Sequence, residues 1–204
     1  MYNYIFKICV FGDYNTGKTS FLNCLQEMEY VRTYEPTIGV EYSTRIFNLE
    51  DDKKAKVTFW DCAGQERFMS ITENFFRKVT GGMLFFDVSN RESYNNVLNW
   101  ITKFRNLNSS DIPLVLVGNK IDKHRIISKN DALILATDFN LKYIEVSVKT
   151  KENVLNALNL LIDSIYENKD ENPNIENCEE EEEEETPLLL NSPKPRYCTN
   201  CCIF

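Results

Sequence analysis

The stretch Gly12-Asp13-Tyr14-Asn15-Thr16-Gly17-Lys18-Thr19 follows directly on an apolar run at residues 4–11 that is typical of a β-strand. It satisfies the pattern G-x-x-x-x-G-K-[ST], and it lies between a strand and a helix as that pattern requires. Glycines let the backbone wrap so that successive amides point at phosphate groups, and the helix beginning near Lys18 adds the positive end of its dipole. Lys18 would reach the outer phosphates, and Thr19 would offer its hydroxyl to Mg²⁺. These residues predict a nucleotide-phosphate site, against the alternative of a chance glycine-rich turn.

Short apolar runs alternate with helix-period stretches along the chain, which is the pattern of a parallel sheet covered by helices. Strands are predicted at residues 4–11, 57–60, 82–88, 114–117 and 143–146, and core-facing helices at 94–104 and 154–165. Residues 41–49 and 55–60 are separated only by the polar stretch 50–54, which is too short for a crossover helix. The predicted fold class is therefore α/β, a mostly parallel six-stranded sheet with one antiparallel edge hairpin and helices on both faces.

Charge divides the chain into two parts. Residues 1–166 contain 20 basic and 20 acidic residues, whereas residues 167–204 contain 3 basic and 11 acidic ones, including the glutamate run at 179–185. The neutral first part argues against binding to nucleic acid, which requires a positive surface. The second part is rich in Asn, Glu and Pro and has little to bury. We therefore expect one folded domain at 1–166 and a disordered acidic tail at 167–204.

The seven cysteines do not indicate a disulfide framework. The N-terminus lacks the basic region and small-residue cleavage site of a secretion signal. No window approaches the ~20 apolar residues that span a bilayer. We expect a reducing, cytosolic setting in which Cys9, Cys24 and Cys62 act as small buried hydrophobic residues.

A second motif indicates which base is bound. Asn119-Lys120-Ile121-Asp122 follows an apolar strand, and loops at the carboxyl ends of strands build ligand sites in such sheets. The Asp122 carboxylate can accept hydrogen bonds from both N1–H and the exocyclic amine of guanine, a pair of donors that adenine does not present. The motif therefore predicts GTP and GDP as ligands, with a solvated turn as the alternative for this short run taken alone.

Together these motifs resemble those of the Ras superfamily of small GTPases, and within it most of all the Rab family. The resemblance covers residues 4–166 and implies a P-loop NTPase fold of the small G domain type. YEPTIG at residues 34–39 resembles the first switch, and WDCAGQERF at residues 60–68 resembles the second. Residues 147–149 resemble the last guanine-contacting loop, and the stretches 38–42 and 67–72 favour Rab over Ras or Rho.

The resemblance implies a role for each matching residue. Thr37 would close over Mg²⁺ and the γ-phosphate, Tyr30 would pack on the purine, and Gly64 would bond the γ-phosphate. Asp61 would hold Mg²⁺ through water, and Gln65 would orient the attacking water. The implied nucleotide contacts are Asp13, Asn15, Thr16, Gly17, Lys18, Thr19, Ser20, Tyr30, Tyr34, Thr37, Gly64, Asn119, Lys120, Asp122, Ser147, Val148 and Lys149. The implied catalytic residues are Gln65, Lys18 and Thr37, and the implied Mg²⁺ ligands are Thr19, Thr37 and Asp61.

The resemblance also implies a switch, in which contacts with the γ-phosphate order two loops. Hydrolysis of GTP to GDP and phosphate releases these loops, and the intrinsic rate of hydrolysis is expected to be slow. Effectors would bind the ordered loops and the apolar surface around Ile38, Phe59 and Trp60, with core packing as the alternative for the two aromatic residues. An exchange factor, a GTPase-activating protein, prenyl-escort proteins and GDP-dissociation inhibitors are the other implied partners. The implied role is regulation of vesicle traffic by a monomeric G domain.

Three positions depart from the family pattern. Tyr14 stands where Gly or Ser is usual, and its phenol would crowd Gln65 or block an arginine finger worth ~10³ to 10⁵ in rate. That arrangement predicts slow hydrolysis and a permanently GTP-bound membrane scaffold; the alternative is a ring that turns to solvent at little cost. Cys62 replaces the usual Thr, with little effect expected, and Val148 stands where alanine is commoner.

The chain ends in CTNCCIF at residues 198–204, which fits two lipidation patterns. As a C-a-a-X box, Cys201 would be prenylated, and Phe204 would favour geranylgeranyl. As a Rab-like pair, Cys201 and Cys202 would both carry lipid, which attaches more firmly than one chain; an unmodified tail is the third alternative. Because no polybasic stretch is present, protein partners would select the membrane. We expect the cytoplasmic face of an intracellular membrane, with a cytosolic pool.

Three functional classes therefore compete. The intact Gln65, Thr37 and Asp61 favour a cycling GTPase switch, whereas Tyr14 favours a scaffold that holds its nucleotide permanently. An ATP-dependent enzyme with a phosphate loop would have no use for the guanine-directed carboxylate of Asp122, and we rank it last.

Overall fold

The computed structural model describes residues 2–25, 40–49, 52–62, 64 and 75–177. The predicted first switch, most of the second switch and the lipidation motif lie outside these ranges. Among the helices within them, none combines the length and the apolar character needed to cross a membrane.

Among the described residues, six strands form the main part of the sheet in the order β2-β3-β1-β4-β5-β6. Their bounds are Tyr4–Gly12 for β1, Val40–Asn48 for β2, Lys54–Cys62 for β3, Gly81–Asp87 for β4, Leu114–Asn119 for β5 and Lys142–Glu145 for β6. Strand β1 pairs in parallel with β3 and β4, and β5 pairs in parallel with β4 and β6. Strand β2 pairs antiparallel with β3 along its whole length. The predicted parallel sheet with one antiparallel edge hairpin is confirmed.

Helices cover both faces of the sheet, as predicted. Their bounds are Lys18–Leu25 for α1, Arg91–Asn95 for α2, Val97–Leu107 for α3, Lys129–Asp138 for α4 and Val154–Glu167 for α5. Helices α1 and α5 share a core with Phe6, Ile8 and Val10 of β1, whereas α3 and α4 share a second core with Cys9 and Phe11. Because alternate residues of β1 face opposite layers, this strand is apolar on both sides.

The fold continues past the expected domain boundary at residue 166. After α5 the chain turns back into a short strand, β7 (Glu176–Asn177), which pairs antiparallel with the start of β1. The side-chain amides of Asn172 and Asn174 each donate to a backbone carbonyl just before β4, both at 2.9 Å. The expectation of disorder from residue 167 is therefore wrong as far as residue 177, because these amides satisfy carbonyls of the folded domain. The prediction for the rest of the tail lies outside the described residues.

Candidate functional site

The loop predicted to bind phosphates joins the end of β1 to the start of α1. Gly12 and Gly17 have φ angles of +130° and +96°, in a region that disfavours other residues. A Cβ atom at Gly12 would collide with the backbone carbonyl of Phe85, and one at Gly17 with the side-chain amide of Asn119. Both glycines are needed because the loop packs directly against the ends of β4 and β5.

Lys18 is the first residue of α1 and is only 6% exposed. Its ammonium donates to the Asp13 carbonyl at 2.8 Å, and the Thr16 hydroxyl donates to the same oxygen at 2.8 Å. Burial lowers the pKa of Lys18 to about 8, although nearby groups, chiefly Asp61, partly oppose this. A buried ammonium with a lowered pKa gains most from a nearby anion, so the position suits a phosphate group. Ser20, also predicted to contact nucleotide, is half-buried in the same turn.

Thr19 and Asp61 bring two oxygen ligands together beside this lysine. The Thr19 hydroxyl donates to the Asp61 carboxylate at 2.5 Å, and Asp61 is 3% exposed near the end of β3. Mg²⁺ prefers carboxylate and hydroxyl oxygens supplemented by water and phosphate oxygens. The two side chains therefore fit the predicted Mg²⁺ site.

Asn119 connects the three loops of the site. Its side chain is buried at the end of β5, and Nδ2 donates to the Thr16 carbonyl at 2.8 Å. Its Oδ1 accepts from the backbone N–H groups of Lys120 and Val148 at 2.7 and 3.3 Å. One amide thus joins the phosphate loop, the loop after β5 and the loop after β6.

Lys120 extends from the loop after β5 across the phosphate loop. Its ammonium lies 2.9 Å from the Asp87 carboxylate and also donates to the Asn15 carbonyl. Burial alone would raise the pKa of Asp87, but hydrogen bonds from Ser89 and Lys120 outweigh it and hold that pKa below its ordinary value. The sequence did not single out Asp87, because it is the last residue of an apolar strand. Lys120 and Asp87 together fasten the two loops to each other.

Asp122 is held by the loop that was predicted to contact guanine. Its carboxylate accepts from the Ser147 hydroxyl at 2.7 Å and lies 3.6 Å from the Lys149 ammonium. The Asp122 side chain is 12% exposed, and that of Lys149 is 64% exposed. The Val148 side chain is buried in the core, so the larger residue is accommodated where alanine is commoner. The structure thus brings together the residues predicted to select the base.

A partly buried ion pair behind these loops has no motif that would reveal it in the sequence. Arg125 forms two hydrogen bonds with the Glu145 carboxylate, both at 2.8 Å, and the Tyr143 hydroxyl adds one at 2.7 Å. Burial would raise the pKa of Glu145, but the hydrogen bonds from Arg125 and Tyr143 hold it below its ordinary value. Because Arg125 follows the first base loop and Glu145 precedes the second, the pair fixes the separation of the two loops.

Gly64, in the middle of the predicted second switch, lies against the phosphate loop. A Cβ atom there would come within 2.5 Å of the Gly12 carbonyl oxygen and the Tyr14 nitrogen. The two segments are therefore in direct backbone contact. The predicted residues that lie outside the described ranges stay predictions: Tyr30, Tyr34, Thr37, Ile38, Gln65, Cys201 and Cys202.

Tyr14 is 46% exposed. It contributes to the wall of a cavity of about 410 Å³ together with Gly64 and with Asn99 and Lys103 of α3. Tyr14 therefore lines the space between the phosphate loop and α3.

The two aromatic residues expected at an effector surface behave differently. Phe59 is 1% exposed and belongs to the core, so for this residue the alternative of core packing is confirmed and a place in the effector surface is wrong. Trp60 is only partly buried; its ring centroid is 4.9 Å from that of Phe75, and the Lys7 ammonium lies 5.0 Å from its centre. Neighbouring strand residues face opposite sides of the sheet, which explains the difference.

A phosphate loop after β1, a carboxylate-bearing loop after β5 and a mixed sheet between two helix layers define a nucleotide-binding domain of the P-loop class. The family model described as Ras family matches residues 7–167. The chain is 39% identical over 158 residues to Ras-related protein Rab-8B of Homo sapiens, Pongo abelii and Bos taurus, an alignment that covers 76% of this chain and 76% of each relative. The chain belongs to the Ras family of small GTPases, is Rab-like within it, and is accordingly a GTPase.

Proposed function

We propose that this Rab-like GTPase cycles between GDP-bound and GTP-bound forms and regulates intracellular vesicle traffic by recruiting effectors. The observation that carries the proposal is the backbone contact between Gly64 and the phosphate loop, where a Cβ atom would lie 2.5 Å from loop atoms. Because no side chain fits between the two segments, a change in the nucleotide bound at the phosphate loop would act directly on the chain that follows Gly64. Such coupling is what a γ-phosphate switch requires.

The described residues supply the nucleotide contacts that the proposal needs. The buried Lys18 ammonium donates to the Asp13 carbonyl, and its remaining N–H groups would donate to phosphate oxygens. The Asp122 carboxylate, held by Ser147 and Lys149, would accept the two guanine donors. Asn119 would keep the base loops and the phosphate loop at the separation that one nucleotide spans.

Thr19, Asp61 and Thr37 would hold Mg²⁺. The ion, when bound, supplies positive charge that offsets the negative charge on the β- and γ-phosphate oxygens. Lys18 adds a second positive charge at the same phosphates, and Gln65 would orient the attacking water. Catalysis by these side chains is positioning and electrostatic stabilisation, which is why no histidine or carboxylate base is required.

A permanently GTP-bound scaffold is the second candidate, and Tyr14 is the observation that favours it. Tyr14 lines the same cavity as Gly64. Gly64 immediately precedes Gln65, the residue proposed to orient the attacking water. Single-turnover GTP hydrolysis separates the two hypotheses. If Tyr14 impairs hydrolysis, Tyr14→Ser should raise the rate at least about tenfold while Tyr14→Phe stays slow. If the switch cycles normally, all three proteins should agree within about twofold.

Membrane attachment would come from prenyl groups on Cys201, with or without a second on Cys202. Two lipid chains hold a protein firmly, whereas one gives reversible attachment. Prenyl-escort proteins, a GDP-dissociation inhibitor, an exchange factor and a GTPase-activating protein would then move the chain between the cytosol and the cytoplasmic face of an intracellular membrane. Mass spectrometry of the C-terminal peptide from cells would count the lipid groups.

The traffic role is tested by expressing the full chain with an N-terminal fluorescent tag. We expect wild type on vesicles, a Cys201→Ser, Cys202→Ser double variant in the cytosol, and a Thr19→Asn variant that fails to support cargo delivery. The Thr19 change removes the Mg²⁺-directed hydroxyl that bonds to Asp61. Cargo delivery that is the same with wild type, with either variant or without the protein would contradict the proposal.

A further inference from the structure

A carboxylate lies within the phosphate loop, where it would repel bound phosphate groups unless it is turned aside and stabilised. Both carboxylate oxygens of Asp13 accept a hydrogen bond from the start of α3. The Trp100 indole Nε1 donates to Oδ1 and the Asn96 Nδ2 donates to Oδ2, each at 2.7 Å. We propose that Asn96 and Trp100 are positioning residues for nucleotide binding, which hold Asp13, and through it the phosphate loop, in the binding conformation.

The two donors sit on a rigid support. Trp100 is 4% exposed, and its ring centroid lies 6.0 Å from that of Phe11 and 6.4 Å from that of Phe76. Asn96 immediately precedes α3, and its backbone N–H donates to the Glu92 carbonyl of α2 at 3.0 Å. Hydrogen bonds from an amide and an indole to a carboxylate are charge-assisted and stronger than neutral ones. The carboxylate is thus fixed by a helix that is packed on the core.

The backbone of Asp13 passes this constraint to the phosphate site. Its carbonyl oxygen accepts from the Lys18 ammonium and the Thr16 hydroxyl, both at 2.8 Å. Its carbonyl carbon is one of the atoms that a Cβ at Gly64 would approach within 2.5 Å. If the carboxylate is released, the peptide unit that orients Lys18 is free to rotate. The loop then holds phosphate less well, and the effect should fall mainly on nucleotide release.

Release of a fluorescent GDP analogue from the full-length protein with Mg²⁺ tests the proposal. Trp100→Phe keeps an aromatic ring in the core but removes the N–H donor, and it should release GDP roughly tenfold to a hundredfold faster. Asp13→Ala should do the same, and adding Trp100→Phe to it should change release less than about twofold, since the bond is already lost. Asn106→Ala, an exposed asparagine on the same helix, is the matched control and should release GDP like wild type.

A spectroscopic measurement separates positioning from a general loss of stability. The chain contains two tryptophans, Trp60 and Trp100, so an ¹⁵N-¹H spectrum of the GDP-bound protein should show two indole N–H signals. Asp13→Asn should move the Trp100 signal and leave the Trp60 signal in place. If Trp100→Phe releases GDP at the wild-type rate, or if Asp13→Asn leaves the Trp100 signal unmoved, the proposal is overturned.

The inference rests on the guanine-nucleotide binding of this GTPase family and not on the vesicle-traffic role. If GDP release and the indole signals change as expected but cargo delivery does not depend on the chain, only the traffic role is contradicted. If cargo delivery depends on the chain but Trp100→Phe releases GDP at the wild-type rate, only the positioning role is contradicted.

Discussion

Replacing Asn119 by alanine removes the amide that connects three loops of the site. Asn119 is 1% exposed, and it bonds to the Thr16 carbonyl at 2.8 Å and to the Lys120 and Val148 N–H groups at 2.7 and 3.3 Å. The Thr16 carbonyl and the Val148 N–H lie in buried residues and would lose a partner. Each buried group left unsatisfied costs ~1–3 kcal/mol, so the loss of a partner by these two groups should lower the free energy of unfolding by about 2–6 kcal/mol. GDP affinity should fall as well, because the loops lose their common anchor.

Urea unfolding at several GDP concentrations in the presence of Mg²⁺ measures both effects. Bound nucleotide adds RT ln(1 + [L]/Kd) to stability, so a fit of this expression to the whole GDP series gives both the stability of the nucleotide-free protein and the Kd for GDP. Asn106→Ala, on the exposed face of α3, should stay within about 0.5 kcal/mol of wild type. An Asn119→Ala protein equally close to wild type would refute the view that this amide holds the site together.

Three further changes have defined outcomes. GDP affinity should be constant at lower pH and fall as the pH rises through about 8, because burial lowers the Lys18 pKa to about 8 and phosphate binding requires the charged form. Calorimetry of GDP binding in two buffers should therefore detect uptake of about half a proton near that pH. The Lys18→Met substitution should abolish this proton uptake. Arg125→Met should speed GDP release about tenfold by freeing the Glu145 carboxylate, as stopped-flow fluorescence would show, whereas an unchanged rate would mean that the ion pair does not position the base loops. Asn172→Ala should lower the free energy of unfolding by ~1–2 kcal/mol in urea, because the Thr80 carbonyl loses a buried donor, and no change would mean that the segment after α5 is not part of the folded domain.

The features predictable from the sequence are those encoded by residues that lie close together in it. The phosphate loop and the base loop are short motifs, and their glycine and asparagine positions proved to be geometrically required, as at Gly17 and Asn119. Strands β4 and β5 are buried throughout, so each appears in the sequence as a continuous apolar run that predicts a strand. The antiparallel hairpin followed from the length of one connection.

Other features depend on contacts between distant residues. Helix α4 was not predicted, because it exposes Leu133 and Ile134 while it buries the small Ala132 and Ala136, which blurs the helical period. The segment after α5 has the composition of a loop, and only the carbonyls before β4 give Asn172 a buried role. No local pattern could pair Asp13 with donors 83 and 87 residues away.

The most direct test of the account is the nucleotide that the protein carries when it is purified from cells, released by denaturation and separated by ion-exchange chromatography. A GTPase that cycles should carry GDP in nearly equal molar amount to protein, because hydrolysis precedes the slow release of product. Mostly GTP would contradict cycling and support a switch held on by Tyr14. Absence of guanine nucleotide, in a protein that also fails to bind added GDP with Mg²⁺, would contradict the central claim.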